Sequence, residues 1–394
     1  MKREIVAAVL AALLGAPMAN AQEKPPIRIG HTAPLTGIQA LVGQLQSIAV
    51  DIGVADVNAA GGINGSKLVV IHYDDQLKPD QGVLRIREAM KDGAVGIIGP
   101  LSGTQWEVAS PLVNTLKMPA ININANKPDI TTPPYALRLA NPDDTGMPET
   151  MDDFMKHMPN VKKVVVVGDV REASGKAAVD LWIELAKKHD LQVLDTVTFT
   201  SGMTDFSPVV LKVKELHPDA ILISILGPDA ARIGREFSGQ GVDVPILGNS
   251  LIWPGTLPQT LSKVIGKDAA NWYTTGYATN EISSGDPKLF KSFVERYDSE
   301  VMNNSVMKQF TPPNVANTML GWDAVKVMAD ILRAKGVDGN TPVEKAREAL
   351  KDGFVELKEY TGLNHIKMRD NGDAYIPTRA VRIDPDKGEW RFLD

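Results

Sequence analysis

From residue 27 onward, short apolar runs alternate with longer segments whose apolar residues recur every three or four positions. Residues 27–31 and 67–73 have the first pattern and predict strands, while residues 45–58 have the second and predict a helix stopped by Gly61-Gly62. Asn64-Gly65 marks a turn, and Pro79 opens a further helix to about Lys91, Pro being favoured at a first helical position. The run Gly96-Ile97-Ile98 then ends in Gly99-Pro100, and Ser102-Gly103-Thr104 leads into a helix reaching Leu116. This is a buried strand, a tight turn, and a helix whose first turn carries hydroxyls. The free N–H groups and partial positive charge of such a helix end suit a carboxylate, to which Ser102 and Thr104 could each add a hydrogen bond. Equally, either hydroxyl could do no more than cap its own helix. A strand at residues 119–123 completes the unit, and repeated strand–helix pairs imply a parallel sheet with helices on both faces.

Pro128, Pro133, Pro134, Pro142 and Pro148 crowd the next interval, where no helix or central strand is expected. Alternation then restarts. Strands are predicted at 163–167, 192–198, 220–225 and 244–247, with helices at 175–189, 206–216 and 229–238 between them. Two similar units joined by Pro-rich crossings predict two doubly wound α/β lobes with a cleft between them. The tail carries a helix at 311–334, with Val315, Met319, Trp322, Val325 and Met328 on one face, and another at 341–351 closed by Gly353. Residues 365–368 and 380–384, around the turn Asp370-Asn371-Gly372-Asp373, read as short hairpin-like strands. Such a tail completes the two lobes and forms no third domain.

Composition narrows the function. A chain of 394 residues with 43% hydrophobic and 23% charged residues is long enough for two globular domains. Its net charge of −6, without a basic run, argues against a nucleic-acid partner. With no cysteine, disulfides, thiolate nucleophiles and cysteine-ligated metals are excluded. Lys2 and Arg3, an apolar run over residues 5–14 and Ala19-Asn20-Ala21 predict a secretory signal removed after Ala21, hence a mature protein in a bacterial periplasm.

Signals for catalysis fall away one by one. VVVVGDVREASGKAA (residues 164–178) has a strand, a Gly turn and Gly175-Lys176, but Gly168 and Gly175 are too far apart for a phosphate loop. Ala177 also stands where a magnesium-binding Ser or Thr is required. No GxGxxG follows a strand, so no dinucleotide cofactor is expected. The six histidines lack metal-ligand spacing, so no metal is expected either. Asp74-Asp75 face opposite ways at a strand end and read as a solvated pair without a catalytic role. No catalytic residue and no cofactor are therefore expected.

Three stretches, PLTGIQALVGQ (34–44), DVNAAGGINGSKLVVIHYDDQLKP (56–79) and GIIGPLSGTQ (96–105), resemble the periplasmic leucine/isoleucine/valine-binding proteins. GWDAVKVMADIL (321–332) and TGLNHIKMRDNGDA (361–374) extend the likeness into the tail. The resemblance implies a soluble receptor of an ABC transporter and a type I periplasmic binding protein fold, with lobes joined by three crossings near residues 141–143, 277–279 and 362–365. Lobe one would then comprise residues 22–141 with 278–362, and lobe two residues 142–277 with 363–394. It further implies that Ser102 holds a ligand carboxylate, helped by the loop Asn122-Ile123-Asn124-Ala125-Asn126, where Asn126 replaces the family's Thr. Val42 replaces an aromatic.

The second lobe departs further from the family. Asn249-Ser250 stand where the family places an acid for the ligand ammonium. Ser174, with Arg171 nearby, stands for a Tyr, and Leu226-Gly227 for a Tyr pair, while Trp253 is available as an aromatic wall. Either Asp169, Asp229 or another carboxylate substitutes, or the ligand has no ammonium. The ligand expected is an aliphatic amino acid or, alternatively, an aromatic acid or amide, and the partner is a membrane permease. A sensory module and a periplasmic hydrolase are the rival classes.

Overall fold

The computed structural model describes residues 24–171, 173–252, 256–276, 286–305, 307–310 and 316–393. The expected signal, Trp253 and the crossing near 277–279 lie outside them. The first sheet is built from β1 (Lys24–Ala33), β2 (Ser66–Asp74), β3 (Ile97–Ile98), β4 (Ala120–Asn122) and β5 (Ala136–Arg138), all parallel, in the order β2-β1-β3-β4-β5. Its connecting helices are α1 (Ala40–Ala59), α2 (Pro79–Lys91) and α3 (Gly103–Leu116). On one face Ile29, Leu45, Val50, Trp322 and Val325 share a core; on the other Ile86, Ile97, Trp106 and Val113 share a second.

The second sheet repeats the plan. It takes β6 (Lys163–Asp169), β7 (Gln192–Phe199), β8 (Ala220–Ser224), β9 (Ile246–Gly248) and β10 (Trp272–Gly276), parallel in the order β7-β6-β8-β9-β10. Helices α4 (Asp143–His157), α5 (Ala173–Lys188), α6 (Ser207–Glu215), α7 (Gly227–Gly239) and α8 (Leu257–Ile265) cover its faces. In both lobes the strand order turns back between the first and third strands, the place where a doubly wound sheet opens a crevice at its carboxyl ends.

The Pro-rich interval is ordered after all. It holds the edge strand β5, which the expectation of no central strand allowed, and the helix α4, which it did not. The edge strand β5 begins only after Pro133-Pro134, and Pro142 is the N-cap of α4, where no N–H is required. Pro148 lies inside α4 and costs about 3 kcal/mol, but the same helix buries Met147, Met151 and Phe154. At ~1.5–3 kcal/mol per buried side chain, packing wins.

The tail also differs from expectation. After α9 (Pro287–Asn303) and α10 (Ala316–Ala334), helix α11 (Val343–Glu356) runs through Gly353 instead of stopping there. A Cβ at Gly353 would lie 2.2 Å from Ile331 Cγ2, so this glycine serves close packing of α11 on α10. Strands β11 (Glu359–Thr361), β12 (His365–Met368) and β13 (Ala374–Tyr375) form a small antiparallel sheet. Residues 380–384 do not join it: β14 (Arg379–Asp384) runs antiparallel beside β10, with β15 (Glu389–Phe392) outside it. Leu363, Ile366, Ala374 and Ile376 pack in the first lobe's core. The last transfer between lobes therefore falls between Ile376 and Arg379, later than the expected 362–365. Asn141 ties it to the first crossing, accepting from the Ile376 N–H at 2.7 Å and donating to its carbonyl.

Asp75 is buried rather than solvated. It accepts from Thr32 Oγ1 (3.1 Å) and the Leu77 N–H (2.9 Å), while Asp74 accepts from Thr36 Oγ1 (2.6 Å) on the other side. Asp74 pins the loop that leads to α1, accepting from the Leu35 and Thr36 N–H groups as well, while Asp75 ties the turn after β2 to β1.

Candidate functional site

The loops at the two switch points face each other across a cavity of about 970 Å³, its mouth included. From the first lobe it is lined by Gln39, Leu41 and Val42 at the start of α1, by Leu101, Ser102 and Gly103 at the start of α3, and by Asn124-Ala125-Asn126 after β4. From the second come Leu226-Gly227-Pro228 at the start of α7, Ser250-Leu251 after β9, and Thr256, Leu257 and Thr260 at the start of α8. Four helices thus begin at this cavity, their N-caps being Gln39, Ser102, Leu226 and Thr256. No charged side chain lines it among the described residues. What positive potential it has comes from backbone N–H groups and helix ends, within largely apolar walls.

The turn after β3 brings Ser102 to the cavity. Gly99 has φ +98° there, and a Cβ would lie 2.1 Å from the Thr32 carbonyl, so only glycine lets β3 turn this tightly against β1. Ser102 caps α3 in a reciprocal box: its Oγ accepts from the Gln105 N–H, and Gln105 Oε1 accepts from the Ser102 N–H, both at 3.2 Å. The two readings of Ser102 are compatible, because the hydroxyl hydrogen takes no part in the cap.

Asn126 and Ser250 meet across the cleft. The Asn126 amide donates to Ser250 Oγ (2.7 Å) and to Asp143 Oδ1 (3.2 Å); Ser250 Oγ donates to Asp143 Oδ1 (3.3 Å), and Asn249 Nδ2 to Asp143 Oδ2 (2.8 Å). Asp143 stands at the first turn of α4, and its own N–H donates to the Asn126 carbonyl at 2.7 Å. Burial pushes its carboxyl up to about 7, against the opposing pull of these hydrogen bonds and of Arg138. Sequence reasoning placed this residue in a crossing and gave it no role. The available signal was an acid directly after a helix-opening Pro142; its partners lie 17, 106 and 107 residues away and left no local trace.

The other residues singled out from sequence take supporting or distant places. Asn122 is buried beneath the loop, donating to the Pro100 carbonyl (2.5 Å) and accepting from the Asn124 and Ala125 N–H groups (2.9 and 2.7 Å). Thr104 and Ser174 join the lobes: the Ala173 N–H donates to Thr104 Oγ1 and the Lys127 N–H to Ser174 Oγ, both at 3.1 Å. Arg171 is exposed and lines no part of the cavity. Asp169 and Asp229 are buried behind it: Asp169 accepts from the Arg171 and Ser201 N–H groups (2.9 and 3.1 Å), and Asp229 accepts from the Gly202 N–H (2.9 Å) and pairs with Arg232. Neither reaches the cavity to receive an ammonium. Sequence reasoning did not single out Gln39, Thr256 or Thr260, helix-start residues whose side chains carry no motif.

The Periplasmic binding protein family model matches residues 26–389. The Leu/Ile/Val-binding protein BraC3 of Rhizobium johnstonii is 27% identical over 377 residues, covering 94% of each chain. The branched-chain amino acid transporter substrate binding protein of Streptococcus pneumoniae, solved in complex with isoleucine, superposes with a TM-score of 0.78 at 19% identity, over 93% of this chain and 98% of that one. An ABC transporter solute binding protein of R. palustris, solved in complex with benzoate, gives 0.77 at 17% identity, over 93% and 95%.

Proposed function

Because the chain belongs to the periplasmic binding protein family, we propose that it is the solute receptor of an ABC import system. In this reading it traps a small carboxylate with an apolar body between its lobes and delivers it to a membrane permease. Homologues and fold are those of solute-binding proteins, not enzymes. The carrying observation is the cavity itself, at which four helices begin and which no charged side chain lines among the described residues. The ligand carboxylate sits at the start of α3, taking the Ser102 hydroxyl and first-turn N–H groups. Charge-assisted bonds of this kind are worth roughly 1.5–3 kcal/mol each. Lobe two closes over the apolar body, and the Thr104 and Ser174 contacts hold it there. Residues 22–141 with 278–376 then form the receiving lobe, and 142–277 with 377–394 the closing one. The leader ends at Ala21 and the mature protein works in the periplasm.

No carboxylate lines these walls among the described residues, Asp143 being held behind Asn126 and Ser250, so an ammonium buried there would lack a direct counter-charge, at a cost of several kcal/mol, set against the ~8 kcal/mol of a micromolar complex. The geometry therefore favours an acid without an ammonium, such as an aromatic acid, over a branched-chain amino acid. The amino-acid reading draws support from the 27% identity to a Leu/Ile/Val-binding protein. A thermal-shift comparison separates them, since a ligand in large excess over its Kd stabilises by RT ln(1 + [L]/Kd). Stabilisation by benzoate and its derivatives, with none by leucine, isoleucine or valine, is expected; the reverse result rejects the preference.

A further inference from the structure

Asp143 stands at the seam between the lobes. Its carboxylate belongs to the closing lobe, as do Asn249 and Ser250, while Asn126 reaches it from the receiving lobe. Asn126 and Ser250 line the cavity, bond to each other at 2.7 Å, and both donate to Asp143 Oδ1. The bond between them covers that oxygen and spans the cleft, so parting the lobes breaks it and lets water reach the carboxylate. Arg138, from the receiving lobe, faces the same carboxylate but is paired with Asp373 at 2.7 Å; Asp144, next in the chain, pairs with Arg369 at 3.3 Å.

Closed and open lobes treat the two forms of this carboxyl differently. In the closed structure burial opposes the charge and outweighs Asn249, Ser250, Asn126 and Arg138, all of which favour it, so the carboxyl is pushed up to about 7. In an open structure water replaces the cover while Asn249 and Ser250 stay, and the carboxyl returns towards its ordinary value of 3.8. Asn126 Oδ1 is buried without a donor among the described residues, so turning that amide over offers the neutral carboxyl an acceptor.

We propose that closure of the lobes over a ligand is coupled to proton uptake at Asp143, the grip being tightest when this carboxyl is neutral. The proposal rests on the receptor reading but not on which ligand is bound, and opening at the permease releases a proton together with the solute. The sign follows from linkage. A group that holds its proton more strongly in the closed form gives the highest affinity below its open-state value, and that gain is lost as pH rises through its closed-state value.

Isothermal titration with benzoate, 4-methylpentanoate and leucine tests this, since none of these probes changes its own charge between pH 6 and 8. At pH 6.5, titrations in PIPES and in imidazole, buffers with different heats of ionisation, should show about three-quarters of a proton taken up per molecule bound. Kd should rise about ten-fold from pH 6 to pH 8. Asp143→Asn keeps the shape of the neutral carboxyl, so it should abolish the uptake and hold Kd within about two-fold across that range. Asn249→Asp sets a second carboxyl against the first; the pair keeps a proton to higher pH, and the rise in Kd should move up by about one pH unit or more. This second variant reports even if the first fails to fold. Binding without proton uptake overturns the proposal and leaves the receptor reading standing. So does an uptake that either variant leaves unchanged, which would place the proton on another group. Binding of none of the three probes overturns the receptor reading and the proposal with it.

Discussion

Replacing Ser102 by Gly and by Ala separates its two jobs. The side chain caps α3 through the Gln105 N–H at 3.2 Å and also lines the cavity. Ala at an N-cap costs about 1 kcal/mol, whereas Gly costs only a few tenths. Either change removes the hydroxyl, and with it one hydrogen bond to a bound carboxylate, about 1.5–3 kcal/mol or roughly 10–150-fold in Kd. The two variants should therefore bind the best acid equally poorly while differing in stability by about 0.5–1 kcal/mol, Gly being the more stable. Titration calorimetry gives the first quantity and urea unfolding the second. An unchanged Kd in both variants, beside the expected stability difference, would show that Ser102 is only a cap. The proposed carboxylate position would then be wrong.

Three further outcomes follow from the same geometry. Burial pushes Asp143 and Asp323 each up to about 7, from an ordinary value of 3.8. The folded chain holds protons that the unfolded chain releases across that window, so their contribution makes unfolding free energy fall as pH rises from about 4 to 7, by a few kcal/mol. Asp143→Asn should flatten this slope in pH-dependent urea unfolding, and identical slopes would show that the carboxyl titrates normally. A Cβ at Gly168 would lie 1.9 Å from Val179 Cγ2, so Gly168→Ala should destabilise by about 1–3 kcal/mol through α5 pushed off β6. Adding Val179→Ala should recover part of the loss, and full stability of the single variant would refute the close contact. Ser174→Ala removes the acceptor that the Lys127 N–H reaches across the cleft at 3.1 Å. At about 1 kcal/mol, ligand binding should weaken roughly five-fold in titration, and an unchanged Kd would mean that this bond does not hold the liganded state together.

Periodicity and punctuation in the sequence settled the local elements and the plan of two doubly wound lobes. Apolar runs such as residues 164–167 have no solution but a strand covered on both faces, and the Gly99-Pro100-to-Thr104 turn spells out its strand–helix junction residue by residue. Those are short-range constraints, carried by neighbours in the chain. Only tertiary structure decided the cases where burial outweighs a local rule. Pro148 is tolerated because Met147, Met151 and Phe154 bury beside it, and Gly353 sits within a helix because Ile331 presses on it. It also decided which polar residues face the cavity. Ser102, Asn124, Asn126 and Ser250 reach it, while Asn122 and Asn249 stand behind, Thr104 and Ser174 bridge the lobes, and Arg171 stays outside. The packing behind that wall depends on Asp143 meeting Asn126 and Asn249, residues 17 and 106 positions away. A hydrogen bond across such a distance leaves no periodicity in the sequence; it exists only once both lobes have folded and come together.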